Sequence, residues 1–557
     1  MHFHPYLMFT NKNVYMKKNI IYIALLAVGF LMGSCENNFD PKIYGSLNST
    51  NFPKTESDFE NYLIECYAPF SINWGYSFPG GSWQENFYVP EGGVFRLLDA
   101  TTDYCAPWAI NTWGGSWLKL TSGQFADMKY YGRSSGGDPS HFEKVRDITR
   151  FTKVIGDIDA STTISDASKK QFLGEAKLLR GLMMYYLMHF YGPVPVVLDP
   201  AQASDTTALS NLVRPTLDQM TQYITTDLEY AASNMKETQA AKGRYTADYA
   251  RFMLMKHYLN EGAHMAGYYQ KAQDMKAKFT GSYSLFGASG SDPDAYANQF
   301  KIANKFNSEV IMSVSCSSTA DGSGTKGNFN PLSWYVVPND AAKTTVWGGG
   351  VATPFVNQGG GWGQCFNVDP KYYSTYESGD NRAKVVLTSY LNWSYVNITA
   401  SDIGTKWSGF ILNKYPIETA TAFQGTDVPL ARWADVLLMY AEAIVRNGGG
   451  APTQEAIDMV NLVRTRAGLA NLPGTATASK AAFLTALLAE RGHEFLYEGS
   501  RKIDLIRFNV YRKTMTAYGR TPSSQYFPIP QYAVDQAAAS GKVLTQTFER
   551  PDYGSDN

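Results

Sequence analysis

The chain has 557 residues, a formal net charge of −1 and only 18% charged residues, with no long run of one sign. This excludes the basic patches that hold nucleic acid and the polybasic stretches that seek acidic lipid. Aromatic residues reach 14%, with 37 Tyr and 11 Trp; that composition suits flat, neutral, hydroxyl-rich ligands and equally suits a large core, and the length suggests two or three domains.

Met16-Lys17-Lys18 reads as the start of translation, with residues 1–15 as an upstream extension. An apolar run from Ile20 to Met32 follows, ending in Gly33-Ser34-Cys35. The run is too short for a spanning helix and has the flanks of a secretory signal. Small residues directly before a cysteine resemble a bacterial lipoprotein signal, which implies that Cys35 is lipidated and becomes the mature N-terminus. A departure is Met32 at the place where such signals carry Leu; Leu31 stands one position earlier. Each buried methylene of an acyl chain contributes about 0.8 kcal/mol, so several chains on one residue anchor stably. Four cysteines then remain, Cys66, Cys105, Cys316 and Cys365. They allow two bridges in three connectivities, or isolated buried thiols. None of their spacings resembles a zinc site.

Residues 36–55 read as a polar tether. Residues 56–305 form an N-terminal half that opens with a helix over Glu56–Tyr67. A Trp-, Gly- and Pro-rich excursion, 70–138, interrupts it. Helices are predicted over Ser140–Ile158, Ser168–Tyr191, Arg214–Met235, Thr246–His264 and a shorter piece near Tyr268–Lys278. In Ser168–Tyr191, Phe172, Ala176, Leu179, Met183, Tyr186, Leu187 and Phe190 fall on one stripe at helical spacing, and Gly192-Pro193 stops the helix. Residues 306–557 form the C-terminal half. It begins with an irregular excursion, 306–429, that contains a short strand at Glu309–Ser315. Helices resume at Leu430–Arg446, Thr453–Ala467 and Ser479–Tyr497, and Phe527–Pro530 is extended. The fold class is mainly α: a tetratricopeptide-like helix–turn–helix scaffold with long irregular loop excursions and a few short strands.

Several stretches carry a family resemblance. They are Leu430-Ala-Arg432-Trp433-Ala-Asp435 through Tyr440-Ala-Glu442, Ala456–Leu469 with Arg464 and Arg466, Glu490-Arg491-Gly-His-Glu494 through Glu498-Gly499-Ser-Arg501 to Arg507, Phe527–Pro530, and Gly174–Pro195 with Arg180-Gly181 and Phe190-Tyr-Gly-Pro-Val-Pro195. Together, taken in chain order behind a lipoprotein start, they resemble the SusD/RagB family of outer-membrane nutrient-binding lipoproteins. Asp435 departs from the glutamate usual there. Read from the residues alone, Glu490, Glu494, Glu498 and Arg501 fall at i, i+4, i+8 and i+11 on one helix face. Such charges pin neighbouring helices or form a solvated face, each exposed pair contributing at most about 1 kcal/mol. The motifs therefore identify a scaffold and do not mark a ligand site.

Sugars present apolar C–H faces rimmed by hydroxyls, which indole and phenol rings cover and planar polar groups bind. The richest such set is Trp74, Tyr76, Trp83, Tyr88, Trp108 and Trp113, with Arg96 and Asp99 interleaved; Trp334, Trp347 and Trp362 form a second set in the other excursion. These eleven are the candidate ligand contacts. The competing assignment is that most of them plug the excursions onto the helices. The chain has no H-E-x-x-H, no G-x-S-x-G and no Walker-type glycine loop, so no catalytic residue and no cofactor is assigned. His257, Glu261 and His264 could share a helix face, but a helix carrying Met253, Leu254 and Tyr258 more often simply packs, so no metal is assigned either. The resemblance implies a non-enzymatic, lipid-anchored glycan-binding protein on the outer surface of the outer membrane. It would pass an oligosaccharide to a SusC-like TonB-dependent transporter. The alternatives are a peptide or other non-sugar nutrient as the ligand, or a surface glycoside hydrolase.

Overall fold

The computed structural model describes residues 52–72, 86–90, 92–107, 116–127, 141–210, 212–318, 328–342, 346–347, 351–352, 364–418 and 424–554. The signal segment with Cys35 lies outside them, as do Trp74, Tyr76, Trp83, Trp108, Trp113 and Trp362. Among the described residues no helix is long and apolar enough to cross a membrane.

Helix α1 (Glu56–Glu65) starts at a reciprocal cap. The Thr55 hydroxyl accepts the Asp58 N–H at 3.2 Å and the Asp58 carboxylate accepts the Thr55 N–H at 2.9 Å. Helices α2 (Val145–Ala160), α3 (Asp166–Tyr191), α4 (Leu217–Asn234), α5 (Ala247–Glu261) and α6 (Tyr268–Met275) follow, each packed on the next. This is the expected helix–turn–helix order. The predicted Ser140–Ile158 helix opens instead with a tight 3₁₀ turn over His141–Lys144. Helix α3 departs from its predicted single stripe: Gln171–Tyr191 is buried on all sides except at Lys177. The cause is crowding by α2 and α4 together. Gly174 and Gly181 admit that approach, because a Cβ at either would stand 2.6 Å from Met235 Cγ or 3.0 Å from Leu228 Cδ2. The buried Arg180 grips Asp227 with one guanidinium edge, Nε and Nη2 donating at 2.7 and 2.8 Å. The helix ends where predicted, at Gly192 with φ +74°.

In the second half, α7 (Trp433–Gly448), α8 (Gln454–Arg466), α9 (Lys480–Glu494) and α10 (Arg501–Arg507) continue the pile, and α7 packs against both α5 and α6. Two predicted boundaries need correction. The segment Leu430–Arg432 is not helical. It belongs to a strand, Val428–Arg432, paired antiparallel with Val310–Val314 so that Val310 faces Arg432 and Val314 faces Val428. Tertiary pairing across more than a hundred residues overrides local helix propensity here. The predicted Ser479–Tyr497 helix stops at Glu494. Tyr497 (φ +51°) and Gly499 (φ +76°) turn the chain back through left-handed backbone, so Glu498 and Arg501 leave the face of Glu490 and Glu494.

These charges are not solvated. Arg382, Lys414, Arg432, Arg464 and Arg466 interlock with Asp380, Glu309, Glu490, Glu494 and Glu498 in one buried cluster. Glu494 is its hub, accepting from Arg432 at 2.8 Å and Arg466 at 2.5 Å and facing Arg382 at 3.5 Å. A second buried chain runs Asp435–Arg491–Asp504–Arg507–Glu442–Arg446 with contacts of 2.7–2.9 Å, tying α7, α9 and α10. Asp435, the family departure, is thus a partner of Arg491 inside the scaffold. The four cysteines are all buried and none is in a disulfide, which resolves the two alternatives in favour of buried thiols.

Burial alone would raise the Glu494 carboxyl, but Arg466, Arg432 and Arg382 outweigh it and hold the group well below the usual carboxylate range. Its contribution is therefore present above the unfolded-state value, about 4.3, and is lost as pH falls below that toward the folded value. Glu494→Gln leaves three buried guanidinium groups under-compensated. It is expected to lower unfolding free energy by about 3–5 kcal/mol and to flatten the acid limb of the stability profile. Denaturant melts of parent and variant between pH 3 and 7 check both. Thiol titration of soluble residues 36–557 is expected to find no reactive thiol in the native protein and four once it is unfolded.

Candidate functional site

The two irregular excursions meet. The Ala106 N–H donates to Asn367 Oδ1 at 2.8 Å, the Asn367 amide returns a bond to the Ala106 carbonyl at 3.1 Å, and the Asp369 N–H donates to the Tyr104 carbonyl at 2.8 Å. The Tyr104 ring lies 4.8 Å from that of Tyr372 and 5.8 Å from that of Tyr497, whose hydroxyl donates to the Asn367 carbonyl at 2.7 Å.

The end of the chain clamps this junction from below. Asp99 accepts the N–H groups of Gly499 at 2.6 Å and Arg501 at 3.1 Å. Arg501 grips Asp103 through two bonds of 3.0 and 2.7 Å. The Tyr511 hydroxyl donates to the Thr101 carbonyl, and Arg520 donates to the carbonyls of Thr102, Cys105 and Thr121. The family motif around Gly499 and Arg501 is thus the socket that seats the first excursion.

Three of the predicted ligand contacts belong to this seating. Tyr88 is 1% exposed, and its hydroxyl stands 3.2 Å from that of Tyr186 on α3. Arg96 and Asp99 are fully buried in the turn Phe95–Asp99. In this structure they face the core rather than solvent. The excursion packs as a second layer on α3 and α10, and an irregular segment has no period by which inward and outward residues separate in sequence. Trp334 lies in the short helix Ser333–Val336 and Trp347 in the strand Val346–Trp347, which pairs with Val351–Ala352.

A cavity of about 390 Å³ opens where both excursions leave the scaffold. Its apolar wall is Tyr67, Phe70 and Tyr245, with Tyr67 and Tyr245 rings 4.8 Å apart and Phe70 6.4 Å from Tyr245. The wall is braced from behind: the Tyr67 hydroxyl donates to Glu175 at 3.3 Å, and Glu175 is paired with Arg244 at 2.9 Å. Ser71, Lys242, Ser315 and Asn328 supply polar edges. Ser71 stands three residues before Trp74 and Asn328 six before Trp334. The sequence reading missed this wall. Tyr67 and Phe70 flank a Pro-terminated helix end and Tyr245 precedes a helix, positions that in sequence are indistinguishable from core.

The His257, Glu261 and His264 set does not converge. His257 Nε2 lies 3.1 Å from the Thr221 carbonyl and from the Thr225 hydroxyl, whereas Glu261 is held by Arg550 and His264, each at 2.8 Å. Among the described residues no group of three or more His, Cys, Asp or Glu is arranged for a metal ion.

Burial pushes the Asp99 carboxyl up to about 7, against the lowering effect of the Gly499 and Arg501 N–H groups and Lys414. Asp99 therefore loses stability for the fold as pH rises from its ordinary value near 3.8 to about 7. Asp99→Asn is expected to remove that decline. Asp99→Ala is expected to cost about 1–3 kcal/mol for each N–H left unsatisfied, with ligand binding by the folded fraction unchanged. Melts across this pH range and binding at equal folded concentration test the pair.

Two family models match the chain: residues 308–547 match the SusD family, and residues 142–259 match a family described as starch-binding and associating with the outer membrane. A SusD-like protein of Bacteroides ovatus is 25% identical over 521 residues, covering 89% of this chain and 84% of the relative. The starch-binding protein SusD of Bacteroides thetaiotaomicron is 24% identical over 556 residues, covering 88% and 89%. Among solved structures, surface glycan-binding protein A of Bacteroides thetaiotaomicron in complex with laminarihexaose superposes with a TM-score of 0.64 at 19% identity, covering 89% of this chain and all of that one.

Proposed function

Because this chain belongs to the SusD/RagB family, we propose that it captures a neutral oligosaccharide or polysaccharide at the cell surface and passes it to a SusC-like TonB-dependent transporter. In this proposal lipidated Cys35 and the tether 36–55 hold it on the outer membrane. Its relatives include a starch-binding protein and a surface glycan-binding protein, and in this proposal the chain performs no chemistry. The observation that carries the proposal is the cavity walled by Tyr67, Phe70 and Tyr245 at the roots of two tryptophan-rich excursions. Tyr67, part-exposed beside the buried Phe70 and Tyr245, supplies a ring face for C–H groups, and the Asn328 amide and serine hydroxyls supply partners for sugar hydroxyls. In sequence, Trp108 follows the hydrogen-bonded Ala106 by two residues and Trp362 precedes Asn367 by five. Trp74, Tyr76, Trp83 and Trp113 from the first excursion and Trp334 and Trp347 from the second complete the proposed contacts.

Affinity gels test this with soluble residues 36–557 lacking Cys35. At least one neutral polysaccharide is expected to retard the protein without release of shorter products. Trp74→Ala, Trp108→Ala and Trp362→Ala are each expected to weaken retardation by about 2- to 10-fold. Retardation by none of a broad panel would overturn the glycan assignment. Unchanged retardation in all three folded variants would move the site away from the excursions.

A further inference from the structure

A hairpin in the second excursion carries side chains that the fold does not use. Tyr390–Leu391 pairs with Asn397–Ile398. At its tip Trp393 is 49% exposed and Tyr395 66% exposed, flanked by exposed Leu391 and Val396. Among the described residues neither the Trp393 nor the Tyr395 ring packs against another aromatic ring. An exposed Trp and Tyr two residues apart would be ordinary on a frayed loop. This tip is instead tightly built.

The Asn392 side-chain oxygen accepts the N–H groups of Ser394 at 3.1 Å and Val396 at 2.9 Å, and the Asn392 N–H donates to the Val396 carbonyl at 3.0 Å. The Trp393 N–H donates to the Asp340 carbonyl at 2.6 Å, and Ala342 donates to Leu391 at 2.8 Å. Below, the Tyr390 hydroxyl donates to Asp340 at 2.8 Å and its ring packs 5.3 Å from that of Trp407, a buried indole that donates to the Thr399 carbonyl. Tyr395 adopts φ +59°, a left-handed conformation that costs a side-chain-bearing residue about 1–2 kcal/mol and that glycine would adopt freely. Unlike Tyr497, which holds a similar angle with its ring buried, Tyr395 leaves its ring in solvent, where no packing offsets that cost. No charged residue occurs between Lys384 and Asp402. The tip therefore carries no cation for an anionic lipid headgroup, and the Asp340 carboxylate beside it is taken by the Tyr390 hydroxyl. It offers two ring faces amid Asn and Ser, the complement of a neutral sugar chain.

We propose that Trp393 and Tyr395, neither of which lines the cavity, form a second glycan contact that engages long polymers and not short oligosaccharides. This rests on the glycan-binding assignment above. A second contact on one chain raises apparent affinity only for a ligand that reaches both.

The test compares parent, Trp393→Ala/Tyr395→Ala and Tyr395→Gly on the polymer that retards the parent and on a short oligosaccharide of the same linkage. Expected are a loss of about 5- to 10-fold on the polymer for the double variant, oligosaccharide affinity equal to the parent, and an unchanged circular dichroism spectrum. Tyr395→Gly is expected to weaken polymer binding while raising the melting temperature, a combination that a purely structural tyrosine would not give. Equal polymer affinity in all three proteins overturns the inference and leaves the cavity assignment standing. Equal losses on polymer and oligosaccharide also overturn it, by making the hairpin part of the primary site. If the parent binds no polymer, the glycan assignment itself fails first.

Discussion

Among the described residues, the second half of this protein is organised around buried charge. The cluster centred on Glu494 draws cations from a strand end (Arg432), a helix end (Arg464, Arg466) and the second excursion (Arg382, Lys414) onto carboxylates of α9, its following turn and the start of the Val310–Val314 strand. Removing ions from water is expensive, and a buried pair rarely adds net stability over a well-packed apolar substitute. What such a cluster does supply is position. A guanidinium that must satisfy two or three carboxylates at once accepts few geometries, and an excursion with little repeating structure has no other means of fixing where it leaves the scaffold.

The division of labour follows. Helical hairpins bury the apolar mass, with α3 enclosed at the centre, and use ordinary caps and close glycine contacts to do so. The excursions then lie on that platform as a second layer whose inner side chains, Tyr88, Arg96 and Asp99 among them, are seated in sockets made by the last third of the chain. A binding surface built this way can change at its outer residues while the sockets beneath stay as they are. A solved relative shares the fold at about one identical residue in five.

Much of the scaffold was legible because helices announce themselves. The stripe in Ser168–Tyr191, the Gly192-Pro193 stop and the motifs around Arg432 and Glu494 carry period and punctuation. The errors arose where a long-range partner decided the outcome. Leu430–Arg432 is extended because Val310–Val314 lies beside it, and Glu498 and Arg501 part from Glu490 because Tyr497 and Gly499 turn left-handed. The site was harder. Aromatic residues in an aperiodic segment look alike whether they face inward or outward, so nothing in the sequence marked Tyr88 as buried. The cavity wall of Tyr67, Phe70 and Tyr245 was missed because it sits at helix ends, where any aromatic residue is expected. The Trp393–Tyr395 tip carries no motif at all; only its exposure and the backbone angle at Tyr395 distinguish it.

The clamp on the first excursion also sets an order of events. Asp99 is completed by Gly499 and Arg501, the Thr101 carbonyl by Tyr511, and three carbonyls of the same region by Arg520, contacts that span about four hundred residues. The helical hairpins need only near neighbours and can form as the chain emerges, whereas contacts this remote in sequence form late. A chain made from its N-terminus therefore carries its aromatic face unseated until nearly all of it has been synthesised. A product truncated before Gly499 would keep many of its helices yet present that segment without its socket, as exposed hydrophobic surface open to proteolysis and aggregation.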